Sequence, residues 1–162
     1  MVYVYRNVYI LALLLAVPGS AFAQGGSVQE KGIEVFVEKR CYTCHTVKAE
    51  AAQVDAAKAA FAASKGVELK ESDDEDDKDS KGGDLSDIGA AKDAQWLSAF
   101  LKNPKDYFLD TPACKKLARQ KDRKRFRGTD AELNDLTAWL VTLKYGDMHD
   151  PEFENCLKED YE

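Results

Sequence analysis

The stretch "KRCYTCHTVK", residues 39–48, places Cys41 and Cys44 three positions apart with His45 directly after the second cysteine. The whole chain of 162 residues has four cysteines and two histidines, so this one turn holds half of each. Three chemistries use such a spacing: a structural zinc site, a redox dithiol, and a haem attached through its vinyl groups. Zinc needs four ligands, usually from a second Cys/His pair, yet the remaining candidates, Cys114, His149 and Cys156, are scattered. A thioredoxin-like dithiol expects a strand ahead of the motif and a βαβ setting. Upstream, "SVQEKGIEVFVEKR" (27–40) instead sets Val28, Gly32, Val35, Phe36 and Lys39 on one helical face, which predicts a helix entering the motif. Covalent haem uses every residue of the motif. Cys41 and Cys44 form thioethers to the porphyrin, and His45, one residue further on the same turn, reaches the iron as its proximal ligand.

Residues 1–23 read as a secretory signal peptide. Arg6 is their only charge, Val8 to Val17 is apolar, and "AFA" at 21–23 suits a signal peptidase. The apolar run is too short to cross a bilayer comfortably; an uncleaved anchor with Tyr3, Tyr5 and Tyr9 at the interface is the competing reading. Cleavage leaves residues 24–162 as a single domain in a periplasmic or otherwise exported, oxidising compartment. It removes one of the 23 Lys and Arg and none of the 29 Asp and Glu, moving the formal charge from −6 to about −7. A net acidic chain is a poor general binder of nucleic acid. No later segment is long and apolar enough for a membrane span in the mature chain.

Downstream of the motif, "KAEAAQVDAAKAAFAAS" (48–64) is a strong helix former with little bulk to bury. The segment "ESDDEDDKDSKGG" (71–83) carries seven acidic residues and no apolar one. It reads as part of a disordered acidic insertion near 66–81. Order resumes at "GGDLSDIG" (82–89), with Leu85 and Ile88 available for burial. A helix follows in "DAQWLSAFLKNP" (93–104), capped by Asp93 and stopped by Asn103-Pro104. Residues 114–128 hold eight Lys and Arg against one Asp. Thr129 caps a last helix in "DAELNDLTAWLVTLKYG", expected to end at Gly146, with Leu133, Leu136, Trp139, Leu140 and Leu143 at helical spacing. From residue 146 the text is a polar, acidic tail. Nothing alternates as a strand does, so the fold class is all-α.

This order of parts resembles a class I cytochrome c domain: N-terminal helix, C-x-x-C-H, G-x-D-L turn, W-L-x-x-F-L helix and a Leu-rich C-terminal helix. The resemblance covers residues 28–47 and 82–145. It implies a bundle of about four to five helices around one covalent haem c, with Cys41, Cys44 and His45 as the cofactor-binding residues and His45 as the metal ligand. It further implies a crossing in which Gly32, beside Phe36, meets Trp139, and it makes Trp96 a haem-edge aromatic. In that family a G-P-x-L turn gives a carbonyl to the free nitrogen of the proximal histidine; here Gly83 stands where proline is usual, so the turn is expected to be less stiff.

The departure lies on the distal side. Family members carry a methionine before "F-x-G-T-D", but the loop from Lys105 to Arg127 has neither methionine nor histidine. Beyond the leader and the motif the chain has only Met148 and His149, neighbours in the tail. Either could ligate the iron, and Cys114 thiolate or an open sixth site are the other readings. Two cysteines left over in an exported protein most simply pair, so a Cys114–Cys156 disulfide is expected to draw the tail toward that loop.

The function so expected is electron transfer by a soluble carrier or a small subunit of a respiratory redox complex, with no catalytic residues and hence no enzyme. The acidic run at 71–79 and the basic run at 115–127 suit redox protein partners that dock through charged surfaces, and an association with a membrane complex is compatible with this. A sensor-like haem protein that binds a small ligand at an open sixth site is the alternative.

Overall fold

The structure, a computed structural model, describes residues 26–66, 82–119, 123–146 and 151–158. The leader, most of the acidic insertion, and Met148 with His149 lie outside the described residues, and so do the expectations placed on them. The described residues are helical, with α1 (Val28–Glu38), α2 (Ala51–Lys65), α3 (Ile88–Ala91), α4 (Ala94–Lys102), α5 (Pro112–Ala118), α6 (Asp130–Leu140) and α7 (Pro151–Glu154). Among them there is no strand, only two isolated bridges, Thr46 with Asp84 and Phe108 with Leu157. The all-α expectation stands.

The helices start where side chains can satisfy their free amides. Ser27 and Thr129 open α1 and α6 with reciprocal capping boxes to Glu30 and Glu132. Asp93 accepts the Trp96 amide at 2.7 Å to open α4. Helix α6 stops at Leu140, short of the expected Gly146. Thr142 donates its hydroxyl back to the Trp139 carbonyl at 2.7 Å, and beyond it the chain turns to meet the segment before and within α3. There the Leu143 carbonyl accepts from Gly89, and the Tyr145 amide donates to Ser86. Leu143 is still fully buried, so the expected apolar pattern holds although the helix does not.

Two apolar clusters organise the molecule. The larger joins Ile33, Phe36 and Val37 of α1 to Leu136, Trp139 and Leu140 of α6, with Val47, Val54, Ile88 and Leu97 around them. At its centre α1 crosses α6 so closely that a Cβ on Gly32 would overlap the Trp139 side chain. Only glycine fits there. Phe36 completes the contact edge-on to Trp139, with ring centroids 5.4 Å apart. The smaller cluster gathers Phe108, Cys114, Leu117, Ala118 and Cys156, with Phe100, Phe153 and Leu157 against it.

The alanine-rich stretch 48–64 does more than its composition suggested. Helix α2 packs Val54 into the main core, and Glu50, just ahead of it, is 4 % exposed. Its carboxylate accepts from Trp139 Nε1 at 2.9 Å and from the Tyr145 hydroxyl at 3.0 Å, so the buried charge is met by two donors. That bond raises the pKa of the Tyr145 hydroxyl.

Candidate functional site

After α1 the chain turns at Arg40, which takes the left-handed conformation at φ 59° and starts a single 3₁₀ turn over Cys41–Thr43. The Cys41 carbonyl accepts from both the Cys44 and His45 amides, at 3.1 and 3.0 Å. The whole C-x-x-C-H motif is therefore one tight coil. Thr43 donates its hydroxyl to the Arg40 carbonyl at 2.8 Å and helps hold the coil.

Both motif cysteines are free thiols and half-buried. Burial is the main cause that pushes the Cys41 thiol up to about 11. Redox dithiols need the opposite, a depressed thiol in an electropositive setting. Among the described residues no three His, Cys, Asp or Glu side chains come together as a metal-binding group.

The 82–86 turn closes over the motif. Gly82 donates to the Cys44 carbonyl at 2.7 Å, Thr46 donates to the Gly83 carbonyl at 3.1 Å, and Leu85 donates back to Thr46 at 2.8 Å. His45 Nδ1 is buried at this turn, and a Cβ on Gly82 would collide with the imidazole. The ring is thus gripped edge-on by backbone. Tyr42, Leu85, Trp96, Leu101 and Phe126, half-buried, rest with Cys41 on the main core. This donor set fits a c-type haem: two thiols and one imidazole presented by one coil, the imidazole held in place, and apolar side chains at hand to cover a flat macrocycle.

On the side of the 105–127 loop, Cys114 and Cys156 form a disulfide, with Cα atoms 5.3 Å apart. This bond leaves Cys114 no thiolate to offer a metal. Backbone bonds extend the clasp: Leu109 donates to the Cys156 carbonyl at 2.8 Å and Lys158 to the Tyr107 carbonyl at 2.9 Å. The Arg123 guanidinium lies over the rings of Phe108 and Phe153, 5.8 and 5.2 Å from their centres, which turns one charge of the basic run inward. Lys116, Arg119, Lys124, Arg125 and Arg127 remain exposed. Trp96 stacks on Phe100 at 4.8 Å and meets Tyr107 edge-on, so its described contacts are those of a core aromatic.

Glu50 and Asp84 are the polar residues that the sequence reading passed over. Asp84, read in the sequence only as a letter of the G-x-D-L turn, binds that turn to Lys48, just after the motif. No helix among the described residues is long and apolar enough to cross a membrane. The sequence model of the family described as Cytochrome c matches residues 29–144. No curated protein and no solved structure matches the chain.

Proposed function

Because the chain belongs to the cytochrome c family, whose members bind haem c covalently and transfer electrons, we propose that Cys41 and Cys44 hold the haem and His45 binds its iron. The observation that carries this is the coil itself: two thiols and an imidazole at positions 41, 44 and 45 of one coil, with the Gly82 backbone against the ring. The cofactor supplies the ferrous–ferric couple. The chain's residues orient the imidazole, keep water from the ring with apolar side chains, and present a docking face.

The protein is a soluble carrier or a small subunit of a respiratory redox complex, working in an exported compartment. The exposed lysines and arginines between 115 and 127 favour an acidic redox partner, since segregated charge speeds encounter and orients it. In this reading no side chain of the protein acts as an acid, base or nucleophile on a substrate. Acid–acetone extraction tests the attachment: haem should stay with the polypeptide, and Cys44→Ala should prevent normal maturation. Haem that extracts cleanly from the wild type overturns the assignment.

The disulfide is a specific reason to keep a second reading, since it removes Cys114 from the set of possible ligands. An open sixth site would make the protein a binder of small ligands. The reduced spectrum with and without carbon monoxide separates the two: a carrier with both axial positions filled leaves it unchanged, whereas an open site shifts it.

A further inference from the structure

We infer that Asp84 is a positioning residue for His45, a latch that holds the glycine turn against the imidazole where the family relies on proline. The inference rests on the assignment of His45 as the iron ligand.

Gly83 sits at φ +73°, a region closed to the proline ring and costly for other L-residues. The turn therefore cannot be stiffened as proline would stiffen it, and two successive glycines would leave it the loosest backbone beside the motif. The next residue supplies the restraint. One oxygen of Asp84 accepts from the Lys48 amide at 3.1 Å, from the Ser86 amide at 3.2 Å and from the Ser86 hydroxyl at 2.8 Å. The same hydroxyl accepts the Ala49 amide at 3.0 Å. Lys48 and Ala49 lie three and four residues after His45, so Asp84 and Ser86 join both sides of the histidine's backbone contacts into one closed set of bonds. Ser86 is itself buried, and its carbonyl accepts from Tyr145, which fixes the latch to the segment after α6. Hydrogen bonds to an ionised acceptor are the stronger kind. They hold the Asp84 pKa below its ordinary value, against a burial that alone would raise it.

The test uses the holoprotein and two readouts besides electron-transfer activity: the reduction potential by spectroelectrochemical titration, and amide hydrogen exchange at Thr46 and Leu85. Asp84→Ala should raise exchange at those two amides about tenfold, as local opening becomes easier. It should also move the potential upward, because a less firmly oriented imidazole is a weaker donor to ferric iron. Asp84→Asn, which keeps an acceptor, should return both values toward wild type. Leu133→Ala serves as the control for plain destabilisation: it should lower the melting temperature and leave both readouts in place. If Asp84→Ala yields no holoprotein, Ser86→Ala, which removes the hydroxyl from two of the same bonds, is read by the same criteria. An unchanged potential, or exchange raised no more than in Leu133→Ala, overturns the latch. Haem lost from the wild type on acid–acetone extraction would instead overturn the assignment beneath it, so the two failures are distinguishable.

Discussion

Around Trp139 the core is assembled from residues that repeat at helical spacing on α1 and α6, each helix opened by its own capping box. Around Cys114 it is assembled from a short helix, a loop and a tail whose linked cysteines stand 42 positions apart. The first cluster forms because the chain's local preferences already point its apolar faces inward. The second has small elements, α5 and α7, that no local preference would hold, and a covalent bond with a few backbone contacts keeps them together. The molecule thus has one region held by packing and another held by cross-linking, and they should fail differently.

The largest effect should come from Trp139→Ala. It empties the centre of the crossing and takes away a donor from the buried Glu50 carboxylate. Loss of a buried aromatic of this size costs about 3–5 kcal/mol, and the carboxylate, left with the Tyr145 hydroxyl as its donor, adds about 1–3 kcal/mol. Denaturant unfolding of the holoprotein checks it, and Glu50→Gln in the same background should recover part of the loss. A total cost near 1 kcal/mol would mean that the crossing is not what holds the first cluster.

Next comes the disulfide. Replacing Cys114 and Cys156 by serine should cost about 4 kcal/mol from loop-closure entropy. The loss should be local before it is global. Amide exchange at Leu109 and Lys158, whose bonds span the clasp, should rise well before exchange at Thr46 does. Equal rises at both sites would show that the two clusters unfold as one.

Arg123→Ala should be smaller, about 1 kcal/mol, through loss of the guanidinium over Phe108 and Phe153. Arg123→Lys should restore only part of it, since an ammonium cannot stack its plane on the rings. Thermal unfolding of the two variants side by side measures the difference.

The smallest effect sharpens the first cluster by pH. The Glu132 carboxyl is held down to about 2, chiefly by the Lys39 ammonium and then by the Thr129 amide. A carboxyl depressed in the folded state stabilises above its ordinary pKa and loses that contribution as pH falls through the folded value. The melting temperature should therefore fall between about pH 4.5 and pH 2, and Glu132→Gln should flatten that part of the curve. An identical slope in the variant would remove this ion pair from the account of α1–α6 contact.

The parts readable in advance were those with short-range causes. The C-x-x-C-H spacing, the Asp93 and Thr129 caps, the Gly32–Trp139 crossing and the leucines of α6 all follow from residues three or four positions apart, or from a family pattern carried by such residues. The pairing of Cys114 with Cys156 was readable by elimination, because the motif claims the other two cysteines. What escaped was polar and long-range. Nothing around Glu50 in its alanine-rich stretch marks it for burial, which depends on an indole and a phenol at positions 139 and 145. The glycine turn looked loose because the acceptor that ties it down finds one of its partners, the Lys48 amide, 36 residues back in the chain. The end of α6 was misplaced because a side-chain hydroxyl and the segment around α3 take over bonds that a longer helix would have made.

The sequence by itself determined that the chain is helical and that one coil presents two thiols and an imidazole together, and its family resemblance implied that two helices meet through a glycine and a tryptophan. Only the tertiary structure decided which carboxylates are buried and partnered, how the histidine is gripped, and where the tail is fastened. The physical reason is range. Periodicity, capping and motif spacing act over one or two turns and are written in order along the chain, whereas the partner of a buried polar group is whichever donor the folded chain brings within about 3 Å of it.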